Sequence, residues 1–433
     1  MRQITIALFV LVTVFVGYAI YDHRDGFVDM FYSRAYGDSD TIRIGLAVPD
    51  EGSFGDSMML NGAQLAVQEI NDNGGVASRL LELVIKHEEP QKSTGLVDQG
   101  MADVGRRVAR QLVRANPIAV IGHGSSSGAI AASLIYQNSG VLHFSPYATN
   151  DALTSHELDL VFRLVPPNVA NNDVMSRNAS ERGLCRMLIL WERSEFGRES
   201  SLFFSERGQE HGIEMVYSTS FLSETVNFND LLLLLLENDV FSIDTIDAIY
   251  LAGQERHIGR LVKQARKLGI AIPIFGSETM NSPEALELGG DAMNNTTTVS
   301  VYDRDNEDQQ HIDFARDFEA AYGAPPTQWA ATAYDTVRLT VQAINDSDSL
   351  DTSVVSDHLR TLQYTKPFEG VTGSIAFDKS GEMVHKIINI VEFKDGRYQT
   401  TERTSMIREN KNKPAAGGRQ LCRKMLDFGA LSP

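Results

Sequence analysis

Two short predicted strands, the apolar run 118–121 and the segment 141–144, constrain the fold of this chain most, because each leads into a turn of small and hydroxyl-bearing residues. A continuous apolar run of this length is typical of a strand that is buried on both faces of a sheet. Apolar residues at helical spacing over 129–136 predict a helix between the two strands. Strand, helix and strand in this order indicate a parallel, right-handed unit.

The two turns are expected to lie side by side at one edge of the predicted sheet, where open α/β sheets bind their ligands. Ser126 and Ser127 belong to the first turn, and Tyr147, Ala148 and Thr149 belong to the second. Backbone N–H groups at the start of the intervening helix add partial positive charge to this edge. A small anion, most naturally a carboxylate, is therefore the expected guest.

The same alternation of strand and helix continues in two series, separated by a pair of prolines at 166–167. The other predicted strands cover 41–49, 80–86, 185–191, 213–220, 248–252, 272–276 and 387–393. Helices are predicted over 104–114 and 329–344, among others. The order of elements predicts an α/β protein built around parallel sheets.

The composition is that of a globular protein with more than one domain. The chain has 433 residues, of which 42% are hydrophobic, so it can bury large cores. Its 39 basic and 57 acidic residues give a net charge of −18. This charge argues against nucleic acid and anionic membrane surfaces as partners.

The N-terminal residues 1–21 are predicted to be either a signal peptide or a membrane anchor. Residues 4–16 lack charge, and Gly17-Tyr18-Ala19 would serve as a cleavage site for a signal peptidase. As an anchor, 4–20 is at the short end of a membrane span. An aromatic-containing spacer over 22–41 favours the anchor, which would attach the protein to the inner membrane. Both alternatives place the bulk of the chain outside the cytoplasm.

The cysteines and the C-terminal tail give weaker signals. Cys185 and Cys422 are the only two cysteines, so one bridge is possible. Because Cys185 opens an apolar strand, we favour the interpretation that it packs as a small buried thiol. Residues 402–433 form a basic tail that is predicted to be disordered.

Five motifs of the chain together resemble the Leu/Ile/Val-binding family of periplasmic substrate-binding proteins, which have the type I periplasmic-binding-protein fold. They stand in the family's order at 61–75, 120–127, 145–150, 275–278 and 377–381. The resemblance implies a Venus-flytrap of two doubly wound parallel-sheet lobes, joined by three crossings, with a ligand trapped between them. By analogy, the first lobe comprises 42–166 and 300–374, and the second comprises 167–299 and 375–401.

The resemblance also implies what the protein does. Such proteins are not enzymes; they deliver a small amino acid or a related carboxylate or amide to an ABC permease and its ATPase. No cofactor or metal is expected here, because the ten histidines are scattered and the glycine-rich turn lacks both the dinucleotide spacing and a Walker lysine.

In the family, serine and threonine side chains of the first lobe hold the ligand's charged backbone groups. The resemblance assigns the ligand carboxylate to Ser126, with Ser127 beside it. It assigns the ammonium group to Thr149 and to the backbone carbonyl of Tyr147, with Ala148 between them. A zwitterion requires donors at one end and acceptors at the other, and these residues supply both.

The remaining site residues are also implied by the resemblance. Glu278 matches a second-lobe acid that completes the ammonium pocket. Phe54, Phe196 and Trp329 fall near positions where the family places rings around the ligand side chain. Gln254 stands where relatives often have another aromatic residue, and this departure allows a polar ligand.

Two alternative functions remain open at the level of the sequence. The turn 124–128 satisfies the G-x-S-x-G pattern of α/β-hydrolases, with Ser126 as nucleophile and Asp378 and His385 as possible triad partners. The other alternative is a membrane-tethered ligand sensor with the same two-lobed fold, which the anchor-like N-terminus favours.

Overall fold

The computed structural model describes residues 41–49, 54–89, 97–239, 241–406 and 422. The strands are β1 (Thr41–Val48), β2 (Leu80–His87), β3 (Ala119–Ile121), β4 (Leu142–Ser145), β5 (Val161–Arg163), β6 (Arg186–Glu192), β7 (Glu214–Phe221), β8 (Ala248–Ala252), β9 (Ile274–Gly276), β10 (Thr296–Ser300), β11 (Phe368–Gly370), β12 (Gly373–Ile375), β13 (Ile387–Lys394) and β14 (Arg397–Ser405). The α-helices are α1 (Phe54–Asp72), α2 (Val97–Val113), α3 (Ser126–Asn138), α4 (Ala152–Ser155), α5 (Asn168–Glu181), α6 (Glu195–Glu210), α7 (Asn229–Leu236), α8 (Glu255–Lys267), α9 (Pro283–Gly289), α10 (Gln309–Tyr322), α11 (Gln328–Ser347) and α12 (Thr352–Thr361).

Two large sheets organise these elements into two lobes. The first sheet has five parallel strands in the order β2-β1-β3-β4-β5. The second has seven strands in the order β14-β13-β10-β9-β8-β6-β7. Its strands β6 to β10 are parallel, whereas β13 and β14 pair antiparallel at one edge. The α/β prediction is therefore confirmed, with the correction that the second sheet is mixed.

The region that constrained the sequence analysis forms the middle of the first sheet. Strands β3 and β4 are completely buried, as the apolar run of β3 predicts, and pair in parallel with Val120 opposite His143. Helix α3 begins earlier than the apolar spacing indicated. Its first N–H groups are capped by Ser125, whose hydroxyl accepts from the Gly128 amide at 3.1 Å. Both hydroxyl-bearing turns thus lie at the carboxyl edge of adjacent strands.

Helix α11 packs against α1 and so belongs to the first lobe. The contact is close because Gly62 has no side chain: a Cβ at this position would lie 2.1 Å from the Ala330 carbonyl oxygen. The backbones of the two helices therefore nearly touch. This packing fixes the start of α11, which faces the gap between the lobes.

The last crossing between the lobes comes later in the chain than the sequence indicated. Phe377 packs edge-on against Phe162 of β5 with 4.9 Å between ring centroids. The buried Arg163 of β5 pairs with Glu382 at 3.0 Å between Nε and Oε2. Residues 376–384 therefore pack with the first sheet, so the crossing lies just before β13 and not at 374–375.

The ends of the chain bear on three sequence-based expectations. The predicted signal peptide or anchor (1–21) and most of the spacer (22–41) lie outside the described residues. Within the described part of the chain, no helix has the length and apolar character needed to cross a bilayer. Residues 402–405, assigned to a disordered tail, instead complete β14, because they pair with β13.

Cys185 and Cys422 form a disulfide, with 5.3 Å between their Cα atoms. The interpretation of Cys185 as a buried thiol is therefore wrong, although the residue is buried as expected. The bridge attaches the C-terminal region to the start of β6 across 237 positions of sequence. Cys422 was the only possible partner, but the apolar neighbours of Cys185 do not distinguish a bridged cysteine from a free one.

Candidate functional site

A narrow cavity lies between the two lobes, at the carboxyl edge of both sheets. Its empty space, including the opening to solvent, is about 220 Å³. It is lined by Thr149, Val165, Pro166, Asn171, Glu278, Val299, Ser300, Val301, Gln328 and Trp329. Three of the predicted site residues thus meet in one place, although they are far apart in the sequence. The remaining lining residues come from the first crossing between the lobes (165–166), the second crossing (299–301) and the starts of α5 and α11.

Glu278 provides the acidic group of this cavity. It begins a 3₁₀ turn, Glu278–Met280, directly after β9, and only 7% of it is exposed. Burial raises the pKa of its carboxyl group to about 7, and the nearby Glu255 carboxylate adds to the increase. A buried carboxylate is costly unless it is paired or hydrogen-bonded, which is why burial favours its protonated form.

Thr149 faces Glu278 from the first lobe. Its hydroxyl is close enough to lower the Glu278 pKa somewhat, but the geometry falls short of a hydrogen bond, and Thr149 Oγ1 has no partner among the described residues. The Thr149 backbone carbonyl already accepts from the Asn168 amide at 2.7 Å. The side-chain hydroxyl is therefore the group of Thr149 that is left for a ligand.

The backbone carbonyl group of Ala148, next to Thr149, already has a hydrogen-bond donor within the first lobe. The Ala148 carbonyl accepts from Arg163 Nη1 at 2.7 Å, and Arg163 is completely buried. This contact holds the turn after β4 in place from behind. Ala148 consequently supports the turn, whereas Thr149 and Tyr147 point their functional groups toward the gap between the lobes.

Tyr147 joins the two lobes directly. Its hydroxyl donates a hydrogen bond to Oε1 of Glu255, which begins α8 in the second lobe. Its ring packs against Trp329 with 4.3 Å between centroids. Burial, and then the Glu255 charge, raise the Tyr147 pKa well above its ordinary value, so the phenol stays protonated and continues to donate. The structure therefore shows the lobes in contact over the cavity.

Gln328 connects the cavity wall to both lobes. Its Nε2 donates to the Glu278 carbonyl oxygen at 3.2 Å. Its Oε1 accepts from the Ser300 hydroxyl at 3.3 Å and from the Val301 amide at 3.4 Å. The side chain thus fixes the 3₁₀ turn relative to the second crossing. Sequence reasoning missed Gln328 because glutamine carries no signal for such a role.

The turn after β3 that contains Ser126 and Ser127, called the serine turn below, is supported from inside the first lobe. Glu88 Oε2 accepts from the Gly124 amide at 2.7 Å, and Glu88 Oε1 lies 2.6 Å from His123 Nδ1. His123 Nε2 in turn lies 3.0 Å from the Tyr136 hydroxyl. Glu88 and His123 are buried, so this chain of contacts gives the turn a fixed shape. No local sequence pattern connects Glu88 with a turn so far along the chain.

The structure does not bring every predicted residue to the cavity. Ser126 is buried in the first turn of α3, and neither it nor Ser127 lines the cavity. Phe196 is buried in the first turn of α6 and is likewise not part of the lining. Gln254 is half-buried before α8, and its amide donates to Glu192 Oε2 at 2.9 Å. The side chain of Phe54 lies outside the described residues.

The hydrolase alternative lacks the necessary geometry. His385 is exposed, whereas Ser126 is buried. Asp378 Oδ1 accepts from the Ser380 amide at 2.9 Å and from the Glu382 amide at 3.1 Å, so it shapes its own turn. A triad needs its three side chains in a chain of hydrogen bonds, and these contacts do not form one.

Comparison with known proteins identifies the family. The family model described as "Periplasmic binding protein" matches residues 41–397. A leucine-, isoleucine-, valine-, threonine- and alanine-binding protein of Pseudomonas aeruginosa is 26% identical over 370 residues, which cover 84% of this chain and 91% of that protein. The substrate-binding protein LivJ of Streptococcus pneumoniae, solved with isoleucine, is 27% identical with a TM-score of 0.73, covering 84% of this chain and 99% of LivJ.

Solved structures with other ligands share the architecture. A solute-binding protein of an ABC transporter from R. palustris, in complex with benzoate, has a TM-score of 0.73 at 18% identity, covering 84% of this chain and 96% of that one. At this identity the likeness concerns the fold alone. The match to the family model extends over most of the chain, and it agrees with the two lobes and the cavity between them. The chain therefore belongs to the periplasmic binding protein family, whose members bind substrates without catalysis.

Proposed function

We propose that this protein is an extracytoplasmic substrate-binding protein that captures a small amino acid and delivers it to an ABC permease. The observation that carries the proposal is that buried Glu278 faces, across one cavity, the hydroxyl of Thr149, which has no hydrogen-bond partner among the described residues. An ammonium group would donate to both oxygens and would compensate the buried carboxylate. A ligand with only a carboxylate would instead meet like charge at Glu278.

The carboxylate end of the ligand is assigned to the serine turn on chemical grounds. Backbone N–H groups at the start of α3 and the hydroxyls of Ser126 and Ser127 are the kind of donors that a carboxylate needs. The rigid support from Glu88 favours this role, because a preorganised turn does not lose entropy on binding. Opening of the lobes would give the ligand access to this turn.

Closure of the lobes would trap the ligand. The hydrogen bond from Tyr147 to Glu255 forms only when the lobes approach, so it adds to the stability of the closed state. A ligand that contacts both Thr149 and Glu278 favours the same state, because these residues come from opposite lobes. The permease would then distinguish the closed form from the open one.

Export of the protein is supported by the disulfide. Bridges such as Cys185–Cys422 persist in oxidising compartments and are rare in the cytosol. We therefore place the described lobes in the periplasm or its equivalent. Residues 4–20 would serve as a signal peptide or as a tether to the inner membrane.

A thermal-shift panel tests the proposal. It should include L-amino acids, aliphatic acids of matching size, and benzoate. A ligand that binds the folded state raises its melting temperature, and we expect at least one L-amino acid to do so while its deaminated analogue does not. A shift with benzoate or aliphatic acids alone would reject an amino acid as the ligand. Glu278→Ala should lose the shift with the L-amino acid, and the control Glu287→Ala, at an exposed acid of the same lobe, should keep it.

A further inference from the structure

A second polar group of the cavity has no partner within the part of the chain that the structure describes, and the ammonium and carboxylate groups of an amino acid do not supply one. Trp329 lines the cavity and is only 3% exposed, yet its indole Nε1–H makes no hydrogen bond within the described residues. Buried tryptophan N–H groups usually find an acceptor, because an unsatisfied donor costs free energy. The missing acceptor is therefore a property of the site that needs an explanation.

Trp329 cannot easily turn to find another partner. Thr327 caps the N-terminus of α11, and its hydroxyl accepts from the Ala330 amide at 3.5 Å. The close contact of α11 with Gly62 holds the same turn from behind. Tyr147, fixed by Glu255, covers the indole ring. The donor is thus held in one place when the lobes are in contact.

The acceptors of three lining residues are engaged in the cavity wall or assigned to another group of the ligand. Gln328 Oε1 accepts from Ser300 and Val301, so it is committed to the cavity wall. Glu278 and Thr149 are the groups that we assign to an ammonium ion. An acceptor for the indole would therefore come from the ligand itself, and from a part of the ligand other than its ammonium group.

We propose that Trp329 Nε1–H donates a hydrogen bond to an oxygen on the side chain of the ligand. The ligand class is then an L-amino acid with a hydroxyl or amide side chain, in preference to its aliphatic isostere. This inference rests on the proposed function, since it takes Glu278 and Thr149 as the ammonium site. A site with a buried donor rejects an apolar analogue, because that analogue leaves the donor unpaired.

Two pairs of near-isosteric probes test the inference: L-threonine against L-valine, and L-asparagine against L-leucine. Calorimetry should show that the wild-type protein binds the polar member of at least one pair about tenfold more tightly. Trp329→Phe keeps an aromatic ring and removes the donor. We expect it to weaken binding of the preferred polar member about tenfold and to change binding of its aliphatic partner less than twofold.

The chain offers a matched control, because it contains only two tryptophans. Trp191 lies on β6, away from the cavity lining, so Trp191→Phe should leave all four affinities unchanged. This variant also leaves Trp329 as the sole tryptophan fluorophore. Its emission should shift to longer wavelength with the preferred polar ligand, and less with the aliphatic one.

The outcomes separate the two proposals. If none of the amino acids binds, the proposed function is wrong. If amino acids bind but the wild-type protein favours the aliphatic members, or Trp329→Phe weakens both members of a pair equally, the indole does not recognise the side chain and this inference alone fails. If Trp329→Phe does not fold, the wild-type preference and the emission of Trp329 in Trp191→Phe test the inference instead. A preference for the aliphatic members, or an equal emission shift with both members of a pair, would contradict it.

Discussion

The Tyr147 hydroxyl donates a hydrogen bond to the Glu255 carboxylate and thereby connects the turn after β4 in one lobe with the start of α8 in the other. The contact lies beside the cavity, because the Tyr147 ring packs on Trp329, which lines it. Burial raises the pKa of Glu255, and the phenol hydrogen bond partly opposes this effect. In the proposed function, this one aromatic side chain couples closure of the lobes to ligand capture.

The first prediction concerns this contact between the lobes. Tyr147→Phe keeps the ring on Trp329 but leaves Glu255 without its donor in the closed state. A hydrogen bond to a charged group contributes about 2 kcal/mol, so ligand affinity should fall by roughly tenfold or more. Calorimetry measures the affinity, and small-angle scattering measures closure. Tyr364→Phe, at a tyrosine that is 82% exposed, is the control. An affinity within twofold of wild type would show that the contact does not stabilise closure.

The second prediction concerns pH. The native pKa of Glu278 is about 7, above its usual 4.5, so the folded protein retains a proton that the unfolded chain loses. Stability of the ligand-free protein should therefore decrease as pH rises from about 4.5 to about 7, and Glu278 accounts for roughly 3 kcal/mol of this change. Urea denaturation across this range measures it.

Glu278→Gln removes this share of the pH dependence, because the amide does not ionise. Burial also raises the pKa of Glu199 to about 7, and that group keeps its own slope in the Gln variant. Glu199→Gln identifies the second contribution separately. If Glu278→Gln left the slope of stability against pH unchanged, the carboxyl of Glu278 would have to titrate near its ordinary value.

The third prediction concerns the disulfide. A bridge that closes a long loop restricts the unfolded chain, and its loss typically costs about 3 kcal/mol. Cys422→Ser should lower the urea midpoint of the protein, and a reducing agent should lower the wild-type midpoint to a similar value. The reductant should have no effect on the variant, since Cys185 is then the only cysteine. Equal midpoints for oxidised wild type and variant would show that the bridge does not stabilise the fold.

Local patterns were sufficient to predict the core of the fold. The apolar runs that became β3 and β8 lie where their composition indicated, because strands buried on both faces leave little ambiguity. The polar strand β14, with exposed and charged residues, has no such signature, and its second half, 402–405, was assigned to a disordered tail. Its partner β13 defines it, and pairing of this kind is not visible in the composition of one segment.

In the candidate site too, residues within recognisable motifs were predicted, whereas residues that act through distant contacts were missed. Thr149, Glu278 and Trp329 were predicted through resemblance, and the structure brings all three to one cavity. Glu255 and Gln328 were missed, because their roles depend on contacts between lobes and on no motif. Ser126 and Ser127 remain predictions, since the groups they would hold belong to the ligand.

An ammonium site at Glu278 is tested most directly by comparing one L-amino acid with its deaminated analogue in wild-type protein and in Glu278→Gln. We would choose the amino acid that gives the largest thermal shift and determine all four dissociation constants by calorimetry near pH 8, where Glu278 is ionised. Wild-type protein should prefer the amino acid by well over tenfold, and Glu278→Gln should lose most of that preference through weaker binding of the amino acid. Equal wild-type affinities for the two compounds, or a preference that survives in Glu278→Gln, would contradict an ammonium site at Glu278.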